Sequence, residues 1–338
     1  MKSIEQRFRG LSEALQLAWY EGAGWLPLLY PLSALVSLLA RFRFWRFQRS
    51  RRMPSVPVLV VGNITVGGTG KTPLVTALCD YFRGRGKRVV VISRGYGARP
   101  PVYPWSVEPD QAALQAGDEP LLIRRSAGVP VVIDPRRSRA LDYAISQYSP
   151  DIVISDDGLQ HFALPRTAEI VVLDADRGIG NGRCLPAGPL RESATRLDHV
   201  DFLVVNGRPD VRWPQASVMV LQALDPVNLR TGESMPMEDF AARHPLVHAF
   251  AGIGNPQRFF STLSAWDIRV TGHPMPDHHV FSALDFAGLE RHTIVMTEKD
   301  AVKCAGFASD NIWYLPVAAR LPNVFLDDLY NRLMRSAR

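Results

Sequence analysis

The stretch from Val58 to Pro73 constrains this chain more than any other. Four consecutive β-formers, Val58-Leu59-Val60-Val61, run into Gly62-Asn63-Ile64-Thr65-Val66-Gly67-Gly68-Thr69-Gly70-Lys71-Thr72-Pro73. Thr72 to Arg83 then reads as a helix. A buried strand, a glycine-rich turn ending in Gly-Lys-Thr and a helix form the context that a phosphate-binding loop requires. Glycines let backbone N–H groups approach a phosphate, and the helix N-terminus adds its positive dipole end. Thr65 stands where the strict G-x-x-x-x-G-K-[ST] pattern has glycine, and Gly67, Gly68 and Gly70 supply the flexibility instead. The loop predicts an ATP site made by Thr65, Val66, Gly67, Gly68, Thr69, Gly70, Lys71 and Thr72. Lys71 would reach the β- and γ-phosphates, and the Thr72 hydroxyl would ligate Mg²⁺.

Beyond the loop, short runs rich in Val and Ile alternate with helical stretches. Strands are expected at Arg88–Ser93, Val129–Ile133, Ile152–Ser155, Ile170–Asp174 and Phe202–Asn206, with helices at Glu119–Ser126 and Arg136–Tyr148. Continuous apolar runs in βα alternation imply a parallel, doubly wound sheet covered on both faces. From Ser217 to Phe240 the pattern loosens, and two extended pieces, around Ser217–Leu224 and Met235–Phe240, are expected to lead into a second, smaller α/β domain. Its strands would be Val247–Ala251, Ile294–Thr297 and Ile312–Leu315, and Asn323–Arg335 closes as a helix.

A phosphate loop needs a carboxylate at the end of a neighbouring strand. Asp156 and Asp157 follow Ile152–Ser155 and supply two for Mg²⁺, with either able to touch the metal. Leu173-Asp174-Ala175-Asp176 has the same shape and ranks second, because Gln160 and His161 follow the first pair closely. The three cysteines (Cys79, Cys184, Cys304) are far apart with no C-x-x-C, so neither a zinc finger nor a disulfide scaffold is supported.

Charge is unevenly placed along the 338 residues. Residues 1–52 hold nine basic and three acidic residues, which accounts for the whole net charge of +6. Nucleic-acid binding is disfavoured, because the rest of the chain is neutral and phosphate-backbone affinity needs clustered Lys and Arg. The excess sits beside an uncharged run from Gly22 to Ala40, about as long as a bilayer core is thick. Six arginines and four aromatic residues follow within 41–52, the pattern of a cytoplasmic membrane flank. Ile4, Phe8, Leu11, Leu15 and Trp19 recur at helical spacing ahead of it. Residues 1–52 are therefore expected to associate with a membrane, spanning it or lying in its interface. Residues 53–215 would be the P-loop domain, and residues 216–338 the hinge strands and smaller domain.

Eight segments together resemble one family. They are the loop N-x-T-V-G-G-T-G-K-T-P, Ser93-Arg94-Gly95-Tyr96-Gly97, Gly117-Asp118-Glu119-Pro120 and Asp156-Asp157-Gly158-Leu159-Gln160-His161. Pro186 to Glu192, Ala249 to Pro256, Pro276-Asp277-His278-His279 and Thr297 to Lys303 complete the set. The chain resembles the tetraacyldisaccharide 4'-kinases, the lipid A 4'-kinases of Gram-negative bacteria. The resemblance implies ATP-dependent phosphorylation of the 4'-hydroxyl of a membrane-embedded acylated glucosamine disaccharide 1-phosphate. It also implies a two-stranded hinge between the domains, matched here to the extended pair within 217–240. It places the protein on the inner membrane with its catalytic part on the cytoplasmic side, and implies no protein partner.

A sugar hydroxyl must lose a proton on phosphorylation, so a carboxylate base is expected near it. The resemblance makes Asp118 that base and His278 its orienting partner. Read without the resemblance, Asp118 is equally a helix cap before Pro120. Arg94 suits a phosphate and Tyr96 a sugar face, and with Gln160 and His161 they are the expected acceptor contacts. Glu192 is expected to complete the charge network around Mg²⁺. Thr297-x-Lys299-Asp300 reads as structural or adjacent to ATP. The alternative function is a membrane-targeted P-loop ATPase switch of the partitioning or targeting type. Such proteins carry a second Lys before the paired glycines, where this chain has Val66.

Overall fold

A computed structural model of the chain describes residues 14–49 and 52–335. The architecture is α/β, with mostly parallel sheets, intervening helices and an apolar N-terminal helix. The strands in chain order are β1 (Val58–Gly62), β2 (Val89–Ser93), β3 (Trp105–Val107), β4 (Val131–Ile133), β5 (Ile152–Asp156), β6 (Ala168–Asp174) and β7 (Phe202–Asn206). They continue with β8 (Ser217–Ala223), β9 (Val227–Asn228), β10 (Leu246–Ala251), β11 (Arg269–Pro274), β12 (Ile294–Thr297), β13 (Ile312–Leu315) and β14 (Val317–Arg320). Two compact units are present. One comprises residues up to Lys71, Asp157–Met219 and the stretch from Leu321; the other comprises Thr72–Asp156 and Val220–Arg320.

In the first unit β8, β7, β6 and β1 lie side by side, all parallel. Strands β1 and β6 are buried along their whole length; β1 is apolar throughout, and β6 is apolar from Ile170 to Leu173 with its Glu169 paired to Arg166 and Arg196. The closing helix Asn323–Arg335 packs here, with the Phe325 ring edge-on to Phe202 and Arg332 paired to Asp201.

The N-terminal segment is helical at residues 14–21, makes a 3-10 turn at Leu26–Leu29 and continues as the helix Tyr30–Arg49. Pro27 and Pro31 fall in first turns, where the missing N–H costs no hydrogen bond. Leu26–Arg49 is long and apolar enough to cross a membrane. One side of it is exposed, at Leu32, Leu35, Leu38, Leu39, Phe42 and Trp45. The other side is anchored. Ser33 Oγ donates to the Cys184 carbonyl (2.7 Å), and on the preceding helix Trp19 Nε1 donates to the Pro186 carbonyl (2.9 Å). Near its end Phe44 lies under the Arg196 guanidinium and Phe47 under that of Arg166, at 4.3 and 4.8 Å. Ile4, Phe8 and Leu11, expected to open the amphipathic helix, lie outside the described residues.

In the second unit β5, β2 and β4 are parallel and β3 adds antiparallel at the edge. A second sheet runs β11-β10-β12-β13-β9, parallel except for β9. Its core gathers Phe240, Val247, Leu263 and Val295. Helix Asp118–Ala127 packs against helix Glu298–Cys304, where Ser126 Oγ donates to Glu298 Oε1 at 2.9 Å.

Two expectations are corrected. The extended pair was placed within 217–240, but β8 pairs antiparallel with β14, Val220 opposite Arg320 and Ala223 opposite Val317. Met235–Phe240 is not extended: Pro236 ends the irregular stretch and Met237–Arg243 is a helix, its Phe240 fully buried.

Candidate active site

The phosphate loop leaves β1 at Gly62 and returns to regular structure at Lys71, the first residue of helix Lys71–Gly84. Its shape is fixed from both sides. Asn63 Nδ2 donates to the carbonyls of Thr65 (2.8 Å) and Gly67 (3.3 Å), folding the loop over its own first residue. Val66 N donates to the Pro189 carbonyl (2.9 Å), and Arg191 N donates to the Ile64 carbonyl (2.7 Å). Gly70 has φ 90° and lies so close to Asn206 that a Cβ would come within 2.6 Å of its Nδ2. No residue with a side chain fits there. Asn206 Nδ2 also donates to the Thr69 carbonyl at 3.2 Å. Thr65 and Thr69 are buried, and the Thr69 hydroxyl has no hydrogen-bond partner among the described residues. A buried hydroxyl left open in a loop of this shape suits a phosphate oxygen.

Lys71 Nζ lies 3.4 Å from Asp157 Oδ1, and Arg191 Nη1 lies 3.3 Å from Asp157 Oδ2. Burial pushes the Asp157 carboxyl up, but the two cations outweigh it and hold the pKa at about 2. Asp157 adopts φ 47°, unusual for a residue other than glycine. Its neighbour Asp156 is fully buried at the end of β5, and Ser93 Oγ donates to its Oδ2 at 3.3 Å. Arg137, also buried, donates to the Asp156 carbonyl. Arg191 had no assigned role in the sequence reading, although it sits inside one of the eight segments.

Gln160 Nε2 donates to the Asn63 carbonyl (3.1 Å) and to Glu192 Oε1 (2.8 Å). Glu192 was expected beside Mg²⁺. It is instead buried with its oxygens turned to Gln160 and, at 3.5 Å, to Arg196. Burial raises its pKa against the pull of Arg196 and Gln160. Among the described residues, no three of His, Cys, Asp and Glu converge to hold a metal ion. The His161 carbonyl accepts from Arg166. Arg94 is exposed in the turn after β2.

The second unit brings another group together. Asp118 opens its helix, but the N-cap is Gly117 and no side chain caps the end. The Asp118 carboxylate faces a histidine instead: His278 Nδ1 is 3.4 Å from Asp118 Oδ2. The Tyr96 ring lies 5.2 Å from the His278 ring and is 66% exposed, open to a ligand. His279 turns to Asp285 (3.2 Å), and His273 lies elsewhere, against His248 (2.9 Å). Helix Glu298–Cys304 adds Lys299, expected to be structural or adjacent to ATP, and Lys303, for which the sequence offers no role. Lys299 Nζ bridges Glu119 (2.9 Å) and Asp277 (3.1 Å), and Lys303 Nζ is 3.9 Å from Asp118 Oδ2.

Residues 25–334 match the family model described as tetraacyldisaccharide-1-P 4'-kinase. The chain belongs to that family. It is 54% identical over 324 residues to the tetraacyldisaccharide 4'-kinase of Alcanivorax borkumensis, a match covering 96% of this chain and 98% of that one. It is 52% identical over 314 residues to the enzyme of the same name from Pseudomonas aeruginosa, covering 91% and 93% of the two chains. Among solved structures it is similar to LpxK from Aquifex aeolicus, crystallised in complex with ATP. That match has a TM-score of 0.75 and 28% identity, over 93% of this chain and 99% of that one. Family membership extends through almost the whole chain, from the apolar helix to the closing helix.

Proposed function

We infer that this chain is a kinase of lipid A biosynthesis, transferring the γ-phosphoryl group of ATP to the 4'-hydroxyl of a tetraacyl glucosamine disaccharide 1-phosphate. The observation that carries this reading is the phosphate loop of a family member, with Lys71 held at its end by Asp157. Phosphoryl transfer is mostly positioning and charge neutralisation. Backbone N–H groups of Gly67 to Gly70, the Thr69 hydroxyl and Lys71 bind the triphosphate, while Thr65 and Val66 shape the loop, the Val66 N–H being given to the Pro189 carbonyl. Arg191 and Lys71 share Asp157, so both cations are held in place with a net positive charge left for the nucleotide's phosphates.

Asp118 is the base. It accepts the acceptor hydroxyl's proton as that oxygen bonds to the γ-phosphorus. The bond from phosphorus to the β,γ-bridging oxygen breaks, and its electron pair leaves with ADP. His278, on Asp118 Oδ2, orients the carboxylate and shares the proton. Tyr96 offers its face to the sugar, and Arg94 to the 1-phosphate. Gln160 and His161 are assigned to the acceptor as well, with Glu192 acting through Gln160 by fixing its amide.

The Thr72 hydroxyl and the Asp156 and Asp157 carboxylates are hard oxygen donors, which suit Mg²⁺. When bound there, the ion would supply neutralisation of charge on the β- and γ-phosphates. Leu26–Arg49 associates with the membrane in which the acylated substrate lies, and its exposed leucines support that reading. The six arginines within 41–52, after the uncharged run, favour the cytoplasmic side of the inner membrane for the rest of the chain.

The test is a kinase assay in detergent micelles, with Mg²⁺, γ-labelled ATP and the acylated disaccharide 1-phosphate. Label entering the lipid with the parent chain, and absent with Lys71→Ala, is the expected result. ATP hydrolysis that ignores the lipid would replace the reading with an ATPase switch.

A further inference from the structure

Lys299 contacts the sequence neighbours of both members of the Asp118–His278 pair. Its Nζ lies 2.9 Å from Oε1 of Glu119, which follows Asp118, and 3.1 Å from Oδ1 of Asp277, which precedes His278. One ammonium therefore ties the helix that carries Asp118 to the loop that carries His278. The loop needs such a tie. His278 has φ 59°, in the left-handed region that costs any residue with a Cβ. That conformation is held by Asp277, whose Oδ1 accepts the backbone N–H of His278 at 3.1 Å. The same oxygen is the one that Lys299 grips. One carboxylate oxygen thus joins the strained histidine backbone to the ammonium.

Lys299 itself is well founded. Burial alone would favour its neutral form, but Glu119 and Asp277 outweigh that and hold it charged. Its side chain is 18% exposed with two carboxylates on its ammonium, so it is poorly placed to serve a ligand. One turn further along the helix, Lys303 sits between Asp300 (2.7 Å) and Asp118 (3.9 Å). Asp300 is fully buried and also accepts from Gly252 N (2.8 Å) and Thr297 Oγ1 (2.6 Å). The helix is therefore pinned from behind, and its lysines have a fixed base from which to act.

We propose that Lys299 is a positioning residue for the acceptor end of the reaction, setting the spacing between Asp118 and His278 through Glu119 and Asp277 without touching the reacting atoms. This rests on the reading of Asp118 as base and His278 as its partner. It gives the Thr297–Lys303 segment a function that its sequence did not disclose.

The test uses the full chain in the micelle assay. Lys299→Met should lower kcat by about 10- to 100-fold, as small misplacements of reacting groups do, with KM for ATP within about twofold. Lys299→Arg, which can also bridge two carboxylates, should recover most of the loss. Asp277→Asn should lower kcat comparably, and the double variant should be no worse than the worse single one, because both break one link. Unchanged kcat, a loss confined to KM, no rescue by arginine, or additive losses would each overturn the proposal. If Lys299→Met does not fold, Asp277→Asn and Lys299→Arg still decide it by the same criteria. Asp118→Asn separates the two levels. Full turnover in that variant overturns the base assignment itself, whereas a loss there with none in Lys299→Met overturns only the clamp.

Discussion

His278 Nδ1 stands 3.4 Å from Asp118 Oδ2, although 160 positions separate the two residues in the chain. A carboxylate at the start of a helix would ordinarily cap it, and this one does not. Asp118→Asn keeps the shape and removes the proposed base. Turnover should fall by about 10²- to 10⁴-fold, the usual worth of a general base, with ATP affinity unchanged. Isothermal titration with ATP beside the lipid-labelling assay checks this. Lost ATP affinity would move Asp118 to the nucleotide.

Lys71→Ala removes the charge that the phosphate loop delivers to the transferring group. Loss of one such contact should cost at least about 10²- to 10³-fold in turnover. A variant retaining a tenth of the parent rate would argue that the loop is not the phosphate site.

Glu298 offers a pH test of stability. Burial raises its carboxyl pKa above the ordinary 4.5, against the hydrogen bond from Ser126. A raised folded value means that the fold prefers the protonated form. That contribution is complete below pH 4.5 and is lost as pH rises through the folded value. Glu298→Gln imitates the protonated form at every pH. It should melt a few degrees (~2–4 °C) above the parent at pH 7.5, with the gap closing as pH falls towards 4.5. Equal melting at pH 7.5 would show that water reaches this half-buried carboxylate well enough to solvate its charge.

The three thiols should be silent in the native protein. Cys79, Cys184 and Cys304 are all buried and free, and burial pushes each thiol up, that of Cys304 to about 12. The thiolate is the reactive form. A disulfide reagent at pH 8 should therefore titrate no fast thiol before denaturant is added and three afterwards. A fast native thiol would mark local opening around one of these sites.

Membrane affinity should follow the exposed side of the apolar helix. Leu35 and Leu39 are 51% and 53% exposed, so an aspartate at either meets no packed neighbour. Each charge placed in hydrocarbon costs about 2.5–3.5 kcal/mol, which would weaken vesicle binding by about 100-fold. Sedimentation with vesicles measures it. Unchanged pelleting of the Leu35→Asp and Leu39→Asp double variant would place the contact elsewhere.

Much of this architecture is legible in the residues, and the exceptions have physical causes. Strands β1, β2, β5 and β6 are buried, so each carries a run of at least three consecutive apolar residues, Val58–Val61, Val89–Ile92, Ile152–Ile154 and Ile170–Leu173. β11 is an edge strand with mostly exposed side chains, and its Arg269-Val270-Thr271-Gly272-His273-Pro274 carries little apolar signal. β14 has four residues, and its partner lies about a hundred positions earlier, beyond any local pattern. Helix Pro256–Ser264 carries its signal in an Asn cap followed by proline. In the site, the loop and its lysine announce themselves because backbone geometry demands glycine. Lys299 and Arg191 do not, since a lysine or arginine earns its role from carboxylates that only folding brings near. Glu192 shows the reverse: its residue type suggested a metal, and burial beside Gln160 and Arg196 gave it other work.

The stacking of Phe47 on Arg166 and Phe44 on Arg196 changes what the N-terminal helix is. Arg166 is wholly shielded from water and Arg196 nearly so, and these rings form part of the shield. A tether can be cut at its base and leave a working enzyme behind. Trimming this chain at its apolar N-terminal helix would instead uncover two guanidiniums and the glutamates they hold, Glu169 and Glu192. A water-soluble form is better sought by recolouring the helix's outer leucines than by shortening the protein.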